Sequence, residues 1–221
     1  MEIFTVKSQE FEGLRRDFTP FESFTDLLSF FRKIFRADPA FENREYSEKN
    51  PNRRQIILYA TLATPDGILT YRRQGAEKKL TGKISIGIGG HIEPEDLTKN
   101  TFGLKSSLLR EMTEELEISD EKTGDKILFY DEKGNIDQKR IREYFKIIPL
   151  GVIKDDSNEV GKVHLGISCL LIFKKPAKVR LQEEGTDLKI ETIGNLKKSA
   201  RDPESELEGW AKIVIPHIPS D

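Results

Sequence analysis

Gly89-Gly90-His91-Ile92-Glu93-Pro94-Glu95-Asp96, followed after thirteen residues by Arg110-Glu111-Met112-Thr113-Glu114-Glu115-Leu116-Glu117-Ile118, is the stretch whose reading decides the fold. Before it, Ile84-Ser85-Ile86-Gly87-Ile88 alternates as a strand entering the Gly-Gly turn; after it, a helix is expected over Ser106 to Leu116. At 100° per residue, Glu111, Glu114 and Glu115 share an arc about 100° wide. Leu108, Leu109, Met112 and Leu116 form an adjoining apolar arc that would anchor the helix.

Three like charges on one face repel by a few tenths of a kcal/mol per pair. A surface helix gains nothing from them unless a cation sits there. Clustered hard oxygen ligands suit Mg²⁺ or Mn²⁺, and the glycine turn would let a backbone carbonyl approach the same ion. Carboxylate-held ions with water ligands point to phosphate chemistry. The plain alternative is a solvated face, the ordinary meaning of Glu-x-x-Glu-Glu in a chain that is 33% charged. The longer pattern Arg-Glu-aliphatic-x-Glu-Glu, however, arises by chance in a chain of this length on the order of once in a thousand.

The segment resembles the signature box of the Nudix hydrolase superfamily: Gly, five residues, Glu, seven residues, Arg-Glu-aliphatic-x-Glu-Glu-x-Gly-aliphatic. Gly90 matches the first glycine, and Arg110, Glu111, Met112, Glu114, Glu115 and Ile118 match the helical half. Three departures stand out. Asp96 occupies the place of the loop glutamate, the connection to Arg110 is six residues longer than in the family, and Glu117 replaces the glycine that closes the helix. The extended Gly-Gly-His-Ile loop with the later Val163-His164-Leu165-Gly166 resembles a less studied branch of Nudix phosphoesterases.

The resemblance implies an α/β (α+β) fold, an α/β/α sandwich with a mixed sheet, over about residues 53 to 215. It implies a metal-dependent pyrophosphohydrolase cleaving a diphosphate bond in a nucleoside diphosphate linked to another moiety. Glu111, Glu114, Glu115 and the carbonyl of Gly89 would hold Mg²⁺ or Mn²⁺, and Arg110 would orient carboxylates through charge-assisted bonds. Arg72, Arg73, Lys79, His91, Glu93 and His164 are candidate substrate contacts. Each has a plain alternative: solvated hairpin bases for the first three, a loop histidine, a loop cap and a structural histidine for the others. Asp155, Asp156 and Glu159 precede His164 and would supply an extra acidic group, or only a turn. Three other functions are weighed: a catalytically silent Nudix-like binding domain, an isopentenyl-diphosphate isomerase-like enzyme, and nucleic-acid binding. Cys169 lies on a late apolar strand rather than where the isomerase nucleophile belongs.

Outward from the box, Gln55 to Ala63 reads as a strand, Thr64-Pro65-Asp66-Gly67 as a turn and Ile68 to Tyr71 as its return strand. Ile127–Tyr130, about Glu143–Ile148 and about Lys162–Phe173 read as further strands. Asp202-Pro203 is expected to open a last helix carrying Leu207, Trp210, Ile213 and Val214. Nine of the thirteen Phe lie in the first 41 residues. There, Thr19-Pro20-Phe21-Glu22 reads as a helix start, with Phe21, Phe24, Leu28, Phe31 and Phe35 forming a stripe to Arg36. The expected division is a helical extension over residues 1–50, packed on the domain or making a dimer contact, and a Nudix-like domain over 51–221. Residues 42–54 read as a linker.

The chain has 221 residues, the length of one domain with an extension. With 36 basic and 38 acidic residues its net charge is −2, so no global field attracts nucleic acid or anionic lipid. Nucleic acid is expected only as a capped or 5′-phosphorylated substrate; the expected partner is a small-molecule diphosphate. One cysteine excludes an intrachain disulfide framework. Met1 to Lys7 lacks the pattern of a signal peptide, and the longest apolar run is far short of the ~20 residues of a spanning helix. A reducing cytoplasm is the expected location.

Overall fold

The computed structural model describes residues 1–13, 20–24, 27–74, 80–97, 103–131, 134–182 and 185–219. The elements run β1 (Glu2–Lys7), α1 (Ser8–Gly13), β2 (Phe21–Ser23), α2 (Leu27–Arg36), β3 (Ala40–Asn43), α3 (Arg44–Ser47), β4 (Arg53–Thr64), β5 (Gly67–Arg73), β6 (Ile84–Ser85) and β7 (Gly87–Ile88). They continue with α4 (Leu104–Glu115), β8 (Leu116–Asp120), α5 (Gln138–Tyr144), β9 (Phe145–Ile153), α6 (Glu159–Lys162), β10 (His164–Phe173), β11 (Ala177–Leu181), β12 (Gly185–Glu191), α7 (Ile193–Ala200) and α8 (Gly209–Val214). Helices and strands are intermixed, as in the α+β class. Among the described residues no helix is long and apolar enough to cross a membrane. The chain divides into two compact units that interleave in sequence. One comprises Met1–Tyr59, Gly89–Ser107 and Pro149–Ser168; the other comprises Ala60–Ile88, Leu108–Ile148 and Cys169–Asp221.

In the first unit, β1 pairs antiparallel with β3 from Glu2↔Asn43 to Thr5↔Ala40, and with the start of β4 from Thr5↔Gln55 to Lys7↔Arg53. Ile3, Thr5 and Val6 are buried. The N-terminal segment is therefore not a purely helical extension. Phe21 does not begin a helix either: Phe21–Ser23 pairs with Gly151–Ile153 of β9, so a ladder replaces the local capping arrangement. The proposed cap, Thr19, lies outside the described residues, as does the side chain of Leu28. The helix runs over Leu27–Arg36 and buries Phe30, Phe31 and Ile34; Phe35, expected in the stripe, is 47% exposed, and Phe24 is half-buried. Rotation of the buried arc follows from the later start, which sets the helix against Phe11. The rings of Phe11 and Phe30 lie 6.4 Å apart, Phe24 and Phe30 5.0 Å, and Phe30 and Phe31 5.7 Å. The expected linker over residues 42–54 instead holds the end of β3, helix α3 and the start of β4, with Asn43 capping α3 at the N–H of Tyr46.

Arg53 and Arg54 open β4 with buried guanidinium groups. Arg53 Nε donates to Thr5 Oγ1 at 2.9 Å and pairs with Glu42 at 3.1 Å. Arg54 Nη2 donates to Glu12 at 2.8 Å and Asp156 at 2.9 Å, and Lys154 pairs with the same two carboxylates. Burial opposes ionisation of Glu12 and Asp156, but their bonds to Arg54 and Lys154 outweigh it. Both carboxyls are held below their ordinary values of 4.5 and 3.8. For a lowered carboxyl the stabilisation is full above the ordinary value and is lost as pH falls through the lowered one. Stability is therefore expected to fall below about pH 4, and Asp156→Asn is expected to flatten that fall. Urea midpoints from pH 5 down to 3 read it; an unchanged slope would show that the pair contributes nothing.

In the second unit the hairpin forms at the expected turn, with Ala63↔Ile68 and Thr64↔Gly67 paired. Thr64 Oγ1 donates to the Gly67 carbonyl and accepts from the Asp66 N–H, both at 3.2 Å. β5 pairs with β12 and β6, the end of β4 with β7, and β8 with β11. Leu62, Leu69, Tyr71, Ile86, Ile88, Leu116, Val179 and Leu188 line a small apolar space between these strands. The expected strand Ile84–Ile88 is broken at Ile86, where Ser85 Oγ bonds the N–H of Gly87 at 3.1 Å. Ile127–Tyr130 is not a strand; only Lys126 and Tyr130 form lone bridges there. Residue Glu143 lies in α5, whose N-cap is Asp137, and the strand starts at Phe145. Asp202-Pro203 does not open a helix, because Asp202 Oδ1 binds the N–H of Glu204 in a turn. α7 ends before it and α8 begins only at Gly209.

Candidate active site

Helix α4 is anchored by Leu108, Leu109 and Met112, all buried, as its apolar arc requires. On the adjoining arc, Arg110 Nη1 donates to Glu111 Oε1 at 2.8 Å and to Glu114 Oε2 at 3.2 Å. The Glu111 side chain is 12% exposed and that of Glu114 57%. The two carboxylates that repel one another thus share a guanidinium. Glu115, half-buried, ends the helix, and Leu116 begins β8 with no intervening turn. The helix needs no closing glycine because it runs directly into a strand, so Glu117 sits in the ladder opposite Arg180. The Glu115 carbonyl accepts the Gln182 N–H at 2.9 Å, while Gln182 Nε2 donates to the carbonyls of Thr113 at 2.8 Å and Leu116 at 3.0 Å. Gln182 carries no local signal in the sequence.

Arg72 and Arg73 leave β5 already in ion pairs. Arg72 Nη2 donates to Glu206 at 2.7 Å and Nη1 to the Gly82 carbonyl; Arg73 Nη1 lies 3.6 Å from Glu208. Lys79 lies outside the described residues. Tyr71 is buried and donates to the Gly87 carbonyl at 2.8 Å. Burial pushes its hydroxyl pKa upward, and the nearby charges of Glu115 and Glu208 act in the same direction, against Arg73.

The remaining candidates lie in the first unit. Gly89 has φ of 149°, and a Cβ there would stand 2.1 Å from the Leu58 carbonyl oxygen. Leu58 in turn donates its N–H to the Gly90 carbonyl at 2.9 Å. Strand β4 and the glycine turn are therefore in backbone contact, which only glycine permits. Gly89→Ala is expected to cost several kcal/mol, the scale of strain at a special backbone position combined with a steric clash. A thermal midpoint equal to that of the wild type would refute this.

His91 is buried, with Nε2 2.7 Å from Gln55 Oε1 and its carbonyl accepting from Ser107 Oγ at 3.2 Å. The rings of His91 and His164 lie 5.7 Å apart, tilted by 54°. His164 Nδ1 donates to the Val160 carbonyl at 2.7 Å, which fixes that tautomer because a carbonyl only accepts. Glu93 and Asp96 cap one another across a single 3₁₀ turn, the Glu93 N–H donating to Asp96 Oδ2 at 2.9 Å. Asp96, in the loop-glutamate position, is thus buried in a turn. Asp155 binds Ser157 and Asn158, Asp156 binds Arg54 and Lys154, and Glu159 binds Lys162, so all three turn acids have local partners. Of the extended connection, residues 98–102 lie outside the described residues.

The donor chemistry of Glu111, Glu114 and Glu115 suits a hard divalent cation. Arg110 holds two of the three, and among the described residues no group of three or more His, Cys, Asp or Glu is gathered closely enough to hold an ion.

No family model matches the chain. Protein YmaB of Bacillus subtilis (strain 168) is 30% identical over 219 residues, covering 97% of this chain and 91% of YmaB. The crystal structure of Tm1382, a candidate Nudix hydrolase, superposes with a TM-score of 0.71 at 22% identity, covering 98% of this chain and 97% of Tm1382. The chain belongs to the family of YmaB and has the Nudix hydrolase fold. The MutT protein of Methanosarcina mazei Go1 gives a TM-score of 0.42 at 16% identity, over 74% of this chain and 91% of that one. The likeness to Tm1382 extends over nearly the whole length of the chain, so the N-terminal strands and helices are part of what this Nudix-fold protein shares with it.

Proposed function

We propose that the protein is a divalent-cation-dependent pyrophosphohydrolase, cleaving the diphosphate bond of a nucleoside diphosphate linked to another moiety. The observation that carries this reading is the carboxylate face of α4, with Glu111 largely buried and bonded to Arg110. Mg²⁺ or Mn²⁺ would be held by Glu111, Glu114 and Glu115. When bound, such an ion lowers the pKa of a coordinated water and neutralises phosphate oxygens. Arg110 orients Glu111 and Glu114 through its charge-assisted bonds to both. In the unit that carries this face, Arg73 is the proposed substrate contact. Arg72, tied to Glu206, must break that pair to take part.

A panel of nucleoside di- and triphosphates, dinucleotide polyphosphates, nucleotide sugars and capped RNA, each with Mg²⁺ and with Mn²⁺, tests the proposal. The expected result is ion-dependent product release on at least one compound, abolished by chelation. Ion-independent release, or none on any compound, would overturn it. The Arg110 clasp favours the alternative of a catalytically silent binding domain, which predicts ligand binding without turnover. An isomerase relying on Cys169 is disfavoured, since burial pushes that thiol up to about 12. We place the protein in the cytoplasm with a small-molecule substrate, and nucleic acid only as a capped or 5′-phosphorylated end.

A further inference from the structure

The net charge of −2 conceals a local imbalance in the second unit. Residues 139–146 and 174–180 carry eight bases and a single acid, Glu143. Helix α5 buries Ile141 and exposes Lys139, Arg140 and Arg142. Lys174, between β10 and β11, joins this helix: its N–H donates to the Tyr144 carbonyl at 2.8 Å and its Nζ to the Arg142 carbonyl at 2.7 Å. Lys175 pairs with Glu143 and stands 4.9 Å from the centre of the Tyr144 ring. Its ammonium, aided by the charges of Lys139 and Arg140, holds the Glu143 carboxyl below its ordinary value of 4.5. Among the described residues Lys139, Arg142 and Lys146 form no ion pair.

The same sign continues along β11 toward α4. Lys178 and Arg180 are exposed while Val179 and Leu181 are half-buried, so both bases stand on the outer face of the β8–β11 ribbon. The register sets Lys178 opposite Ser119, Arg180 opposite Glu117 and Leu181 opposite Leu116, the residue after Glu115. Arg180 and Glu117 are 3.9 Å apart with side chains 80% and 47% exposed, a solvated contact of little strength. At the far end of the ribbon the Tyr144 hydroxyl donates to Asp120 at 2.9 Å, which ties α5 to it. Five strand steps separate Glu115 from Asp120, about 17 Å at ~3.3 Å per residue. The bases thus form a track that runs from the carboxylate end of α4 beyond the reach of a single nucleotide.

We propose that the outer face of β11 and the exposed side of α5 hold the phosphate backbone of single-stranded RNA, whose 5′-phosphorylated end lies at the carboxylate face of α4. The inference rests on the hydrolase reading above, which puts a phosphate end at α4. A row of bases at successive distances from that end suits a chain of phosphates, each contact releasing counterions. An anionic lipid surface fits less well, because it would have to admit the apolar side of α5, and Ile141 and Phe145 are buried in the core.

Fluorescence anisotropy of a short, 3′-labelled, 5′-phosphorylated oligouridylate with the full chain, in chelator and over a series of salt concentrations, tests this without turnover. The affinity is expected to fall with salt, with a logarithmic slope of about −0.7 for each phosphate neutralised. The triple variant Lys139→Ala, Arg142→Ala, Lys178→Ala should bind about tenfold or more weakly at low salt and flatten the slope by about two. All three side chains are exposed, and circular dichroism checks the fold; the single variants, each with a smaller loss, serve if the triple variant fails to fold. Lys198→Ala, which removes one base from α7, should leave the affinity unchanged. No binding of RNA, an unaltered slope in the track variants, or an equal loss in Lys198→Ala would overturn the inference. So would capture on phosphatidylserine vesicles, sensitive to the same substitutions, in place of RNA binding. Hydrolysis of a mononucleotide substrate should be the same in the track variants and the wild type. Turnover of mononucleotides without RNA binding would sink this inference alone; track-dependent RNA binding without turnover of any compound would sink the hydrolase reading and leave the track standing.

Discussion

Glu115→Gln is expected to lower kcat by about a hundred- to a thousandfold, the scale of losing one preorganised electrostatic contact of ~3–4 kcal/mol. The amide keeps the size of the side chain and removes the charge a divalent ion needs. The bond from the Gln182 N–H to the Glu115 carbonyl survives the substitution. Repulsion on the Glu111, Glu114 and Glu115 face is also relieved, so the thermal midpoint should hold or rise. Glu114→Gln should act in the same direction, and it also weakens the Arg110 clasp. Ion-dependent hydrolysis beside far-ultraviolet circular dichroism checks both. Full activity in a folded variant would show that the carboxylate face is decoration.

Phe30→Ala is expected to cost about 3–5 kcal/mol, the range for truncating a buried aromatic that leaves a cavity. Its ring is 4% exposed and stands against Phe11, Phe24 and Phe31. These neighbours come from α1, the segment after β2, and α2 itself, so collapse around the gap would require several elements to move together. Urea unfolding reads the loss; a change below about 1 kcal/mol would show that the cluster is not a load on stability.

What could be read from the sequence was what is decided locally. The hairpin at Thr64-Pro65-Asp66-Gly67 closes through its own hydroxyl and backbone, and α4 follows from the spacing of Leu108, Leu109 and Met112. Where a distant partner decides, local signals mislead. Pro20-Phe21-Glu22 has the form of a helix start, but Phe21–Ser23 meets the edge of β9 some 130 residues later and becomes a strand. Asp202-Pro203 looks like a cap, yet its carboxylate closes a turn on Glu204. The site divides in the same way. The Glu111, Glu114 and Glu115 face is a matter of helical period. Gln182, Gln55 and Glu208 acquire meaning only from partners far along the chain, as Glu208 does from Ser85, 123 positions away. Asp96 resembles a loop ligand in position, but in space it caps Glu93.

The direct passage of α4 into β8 has a dynamic consequence. Ordinary helix ends fray, and the last turn opens far more often than the protein unfolds. Here the last helical residue adjoins a strand ladder: the Gln182 N–H bonds its carbonyl, and Gln182 Nε2 bonds the carbonyls of Thr113 and Leu116 on either side. Fraying at Glu115 is therefore expected to require loosening of the β8–β11 pairing. The amide proton of Gln182 is thus expected to serve as a clock for the carboxylate end of the helix: its rate of exchange with deuterated solvent would record how often that end lets go.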